Sequence, residues 1–199
     1  MKKIILGIIV ASTILAACNN SSSGNKENKT DSSQTTATNA DTSTKTATAS
    51  ATTNQPASIK EILAGYLLMK NAFAKDNDKD AAMAGNDMVK SFGNFNKTGL
   101  TPDQAKLYND IADDAKEHAE HIGSNAGNIK HQREHFDMLS KDIYQLVKTF
   151  GGGQKLYYDH CPMYNEGKGA SWISEIKEIA NPYLGKSMPT CGTVKEELK

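Results

Sequence analysis

The sequence predicts an all-α domain: an up-and-down four-helix bundle with an irregular C-terminal segment, including short strands, packed on it. Three observations predict it. Four stretches between Ser58 and Phe150 repeat apolar residues at spacings of three and four, short polar links separate them, and the periodicity stops at Gly151-Gly152-Gly153.

What precedes the domain is read first. Lys2 and Lys3 lead into an apolar run, Ile4 to Val10, followed by small residues, which is the order of a secretory signal over residues 1–17. Leu15-Ala16-Ala17-Cys18 resembles the lipobox of bacterial lipoproteins, which implies lipidation of Cys18 and cleavage just before it. Several acyl chains anchor stably where one would not. The remainder of residues 18–57 holds no Leu, Ile, Val, Met or aromatic residue. Such a stretch buries too little apolar area to offset its ordering entropy and is expected to be a disordered tether. The expected location is the cell envelope, lipid-anchored and facing the periplasm. Asn19, rather than the aspartate of an inner-membrane retention signal, favours the outer membrane.

The domain spans residues 58–199. Its first helix carries Ile59, Ile62, Leu63, Tyr66 and Phe73 after Ser58, a candidate cap. A shorter second helix carries Ala81, Ala84, Met88 and Phe92. The third opens with Thr101-Pro102-Asp103-Gln104, where Thr101 and Gln104 can form a capping box and Pro102 suits the first helical position. Its stripe is Leu107, Ile111, Ala115 and Ile122. The fourth aligns Ile129, Phe136, Leu139, Ile143, Val147 and Phe150. Beyond the glycines, turn formers such as Asn165-Glu166-Gly167 and Asn181-Pro182 interrupt any stripe, with strands expected only at Leu156 to Asp159 and Ser171 to Ser174.

Composition excludes some partners. Lys plus Arg and Asp plus Glu both number 23, so the formal charge is zero and no electrostatic footprint for nucleic acid is present. Nor is there a nucleophile elbow, a phosphate loop or an HExxH pattern, and an enzyme is not expected.

Soft donors concentrate in the C-terminal segment. His160-Cys161-Pro162-Met163 and Met188-Pro189-Thr190-Cys191 each pair a thiol with a thioether beside a stiffening proline. Such sulfurs select Cu(I) over harder divalent ions, and imidazole also binds copper and zinc. Cys161, Met163, Met188 and Cys191 are therefore the candidate ligands, with His135 as a nitrogen donor. His118, on the third helix's apolar stripe, reads as a hydrogen-bonded core histidine and His131 as solvated surface, while His121 stays unassigned. The alternative for the two cysteines is a disulfide, closing a loop of about 30 residues and contributing about 3–4 kcal/mol in the loop-entropy model. Met163 and Met188 would then be packing residues.

The runs QREHFDMLSKDIYQLVKTFG and LYYDHCPMYNEGKGASWISEIKEIANPYLGKSMPTCGTVKEEL, with YLLMKNAFAKDN in the first helix, resemble the family catalogued as domain of unknown function 3347, over residues 58–199. Such domains occur alone in exported bacterial proteins and at the C-terminal end of periplasmic adaptors of heavy-metal efflux pumps. The resemblance implies handling of copper or another soft metal, with an efflux-system protein as partner. Cys161-Pro162-Met163 also looks like the Cys-Pro-Met-His motif of copper-transporting proteins. Tyr164 replaces its histidine, and His160 lies on the other side.

Overall fold

The computed structural model describes residues 57–199; the expected signal, Cys18 and nearly all of the tether lie outside them. Four helices come first: α1 (Lys60–Ala74), α2 (Asp78–Gly93), α3 (Pro102–Ser124) and α4 (Ile129–Phe150). Three strands follow: β1 (Leu156–Cys161), β2 (Ala170–Ser174) and β3 (Thr193–Leu198), with a 3₁₀ turn at Gly185–Ser187 before the last. Among the described residues no helix is long and apolar enough to cross a membrane.

Local chemistry sets the helix ends. The Thr101 hydroxyl accepts from the Gln104 amide and the Gln104 side chain accepts from the Thr101 amide, so both halves of the capping box form, with Pro102 in the first turn. Asn77 and Asn128 cap α2 and α4 by accepting from Asp80 N–H and His131 N–H. Ser58 is not the cap of α1. Ile59 holds that position, and the Ser58 hydroxyl accepts from Lys60 N–H one residue early. α4 ends where Gly151 takes a φ of 76°, a left-handed conformation open to glycine.

Each helix packs on the next in sequence, and the sheet leans on α4 through β2. Tyr66 joins these layers. Its ring stacks on Phe136 of α4 at 5.1 Å, its hydroxyl lies 2.8 Å from Ser140 Oγ, and it accepts from Ile173 N–H of β2. The anticipated stripes are buried at Ala81, Met88, Ile111, Phe136, Leu139 and Ile143, whereas Leu107 and Ile129 are half-buried.

The C-terminal segment is more regular than an all-α reading allows. Its strands make one antiparallel sheet in the order β2-β1-β3, with Asp159 opposite Trp172 and Cys161 opposite Ala170. β3, Thr-Val-Lys-Glu-Glu-Leu, carries only two aliphatic residues beside a lysine and two glutamates, because it is an edge strand whose Thr193, Lys195 and Glu197 are exposed.

Candidate metal centre

Cys161 is the last residue of β1 and is fully buried; Cys191 lies in the turn before β3 and is half-buried. Both are free, and their sulfurs approach to 2.6 Å across 30 positions of sequence. Three features hold them there. Antiparallel pairing fixes Cys161 opposite Ala170 of β2, one residue beyond the His160–Thr193 pair at the start of β3. Buried Asn181 clamps the second turn: its Nδ2 donates to Cys191 O at 2.6 Å, while its Oδ1 accepts from the Tyr183 and Leu184 amides, both at 2.8 Å. Its own amide donates to Pro189 O. Gly192 then passes beneath the Trp172 ring with φ 147°, where an added Cβ would lie 2.9 Å from the indole, so no side chain fits.

The loop from Pro162 to Gly169 is equally constrained. Asn165, Glu166 and Gly167 take left-handed conformations in succession, and the amides of Lys168 and Gly169 donate back to Asn165 O and Tyr164 O. This turn returns the chain to β2 beside Cys161. The neighbouring Cys161 thiol raises the Cys191 thiol above the usual thiol range; burial adds to this, and the backbone of Met163 opposes it.

The two thioethers behave differently from the thiols. Met163 and Met188 are 57% and 37% exposed, at the rims of the two turns that carry the cysteines. Deeper in, Asp159 is buried two residues before Cys161 with neither carboxylate oxygen hydrogen-bonded, and burial pushes its carboxyl up to about 6 against the opposing Lys70 charge. Lys70 is itself buried and ion-paired with Glu175 at 2.8 Å. His160 faces Ser171 Oγ at 3.0 Å.

His135 stands among other imidazoles. Its Nδ1 lies 3.2 Å from His118 Nδ1, its ring stacks on His121 at 4.2 Å, and His131 meets it edge-on at 4.6 Å. The sequence-derived set thus divides between a thiol pair with two rim thioethers on the sheet and one histidine on α4. His118 is hydrogen-bonded, as its stripe position suggests, but half-buried at the α3–α4 seam, and His131 is half-buried rather than solvated. Reading α3 and α4 against each other as antiparallel neighbours would have found this grouping; reading each helix alone hid it.

Residues 62–155 match the model of a family described as protein of unknown function (DUF3347). The match spans α1 to α4 and ends just before β1, so the cysteine-bearing turns lie beyond it. No curated protein and no solved structure matches the chain.

Proposed function

We propose that the chain is a lipid-anchored protein of the cell envelope that holds a soft metal ion, copper as Cu(I), and buffers it or passes it to an efflux system. The reading rests on one observation: two thiols from turns 30 residues apart converge, to 2.6 Å, and since sulfurs about 2.3 Å from one ion stand about 3.8 Å apart, they separate by about an ångström to admit it. Thiolate is the donor that Cu(I) prefers, and thioether is the next softest that proteins offer. In this reading Cys161 and Cys191 are the primary ligands. Met163 and Met188, exposed and unbranched, swing in from the rims to complete the shell and release the ion to a partner. Deprotonated thiols are required, so acid weakens the site.

The same approach favours a second reading, in which Cys161 and Cys191 oxidise to a disulfide and the C-terminal segment is a stapled interaction surface. Peptide mass mapping of the unreduced protein separates the two, since a quantitative Cys161–Cys191 bridge supports the staple and free thiols support the metal. An anaerobic Cu(I) titration against a competing chelator, with the full chain and its Cys161→Ser variant, tests the metal reading. Tight binding lost in the variant supports it; equal affinity removes Cys161 from the site.

A further inference from the structure

Four of the five histidines lie on two helices. His118 and His121 occupy the last turns of α3, and His131 and His135 the first turns of α4. Spacings of three and four put each pair on one helix face, and the short link from Asn125 to Asn128 turns the two faces together.

We propose that His121, His131 and His135 form a second metal site, separate from the thiol pair, that takes a borderline divalent cation such as Zn²⁺, Ni²⁺ or Cu²⁺. One ligand atom from each lies within 4.8 Å of the others. A tetrahedral ion with metal–nitrogen bonds of about 2.0–2.1 Å needs its nitrogens about 3.3 Å apart, so modest side-chain rotation closes the site. The His121 and His135 rings lie parallel in their stack, 4.2 Å apart with an interplanar angle of 4°. Imidazole nitrogens donate in the plane of the ring, so two parallel stacked rings do not aim at one point, and a shared cation requires one of them to turn out of the stack.

Ligating histidines have their second nitrogen held by an outer partner, and His135 has such a partner. His118 Nδ1 engages His135 Nδ1 and leaves Nε2 of His135 as the ligand. Glu134 lies 3.5 Å from His131 Nδ1 and Glu117 3.7 Å from His121 Nε2, too far for hydrogen bonds, so these carboxylates bring negative charge near the cluster without fixing the rings. The side chains of His121 and His131 are 43% and 34% exposed, which leaves an entry path and room for water as a fourth ligand. With nitrogen donors and no sulfur, the site suits ions harder than Cu(I). His118 is a positioning residue: it sets the tautomer of His135 without touching the ion.

The test uses the full chain carrying Cys161→Ser and Cys191→Ser, so that its result does not depend on the thiol reading. Zn²⁺ is titrated against a chromophoric chelator, and histidine side-chain ¹⁵N resonances are followed in parallel. One Zn²⁺ per chain is expected, with shifts at His121, His131 and His135 and none at His160. Loss of an outer partner typically costs 10–100-fold in affinity, so adding His135→Ala or, at a more exposed position, His131→Ala lowers affinity at least about 100-fold. His118→Ala costs about tenfold and changes the ¹⁵N tautomer signature of His135. Helical circular dichroism confirms that the variants fold. Absence of Zn²⁺ uptake, shifts spread equally to His160, or undiminished affinity in folded His131→Ala and His135→Ala proteins would overturn the proposal.

Discussion

Replacing Asn181 by alanine is expected to loosen the turn that presents Cys191. The side chain is fully buried and makes three hydrogen bonds, donating to Cys191 O and accepting from the Tyr183 and Leu184 amides. Alanine strands all three backbone groups. An orphaned buried group costs about 1–3 kcal/mol. Cys191 and Leu184 are only half-buried, so water recovers part of two of these bonds, whereas Tyr183 is buried and recovers none. The net loss works out at about 2–4 kcal/mol. Urea unfolding of the reduced protein measures it, read as a shift in midpoint at unchanged slope. Alkylation of the native protein gives a second readout, because Cys191 freed from its clamp reacts faster. Asn181→Asp separates the contributions: it keeps the acceptor for the two amides but sets a carboxylate against Cys191 O. A change below about 1 kcal/mol for Asn181→Ala, with unaltered alkylation, would refute the clamp.

Two further perturbations probe buried charges. Glu175→Gln removes the ion-paired carboxylate of buried Lys70 and leaves it the neutral glutamine carbonyl and Ser174 Oγ at 3.4 Å, with Asp159 the nearby acid. Because Glu175 is itself 29% exposed, the cost falls below the 3–5 kcal/mol of a fully buried pair, at about 2 kcal/mol, measurable by urea unfolding at pH 7. Asp142 supplies a pH test: burial, with Asp114 nearby, pushes its carboxyl up to about 6 from 3.8. The folded state therefore resists its ionisation. That penalty is absent below pH 4, grows between pH 4 and 6, and is complete above pH 6. Asp142→Asn should accordingly stabilise the protein by about 1 kcal/mol at pH 7 after solvent screening, and leave stability unchanged at pH 3.5. Equal effects at both pH values would contradict the assignment.

The helical half was legible because its signals are local. Thr101, Pro102 and Gln104 specify the start of α3 from neighbouring residues alone, and the stripe of α4 needs no partner to be seen. Ser58 misled because hydroxyl capping and a one-residue displacement look alike in sequence. β3 was missed because an exposed edge strand obtains its structure from pairing with β1 rather than from its own Lys and Glu residues. At the site, clustered sulfur pointed to Cys161 and Cys191, but their meeting depends on contacts no local pattern encodes. Asn181 reads as a turn former and works as a clamp on a turn ten residues away. His135 was assigned to sulfur partners for want of the tertiary pairing that brings α3 beside it.

X-ray absorption at the copper edge of the full chain, loaded anaerobically with one equivalent of Cu(I), tests the thiol site most directly. A first shell dominated by sulfur, and lost when Cys161 and Cys191 are both serine, is the predicted result. A shell of nitrogen and oxygen alone, unchanged by those substitutions, would contradict it.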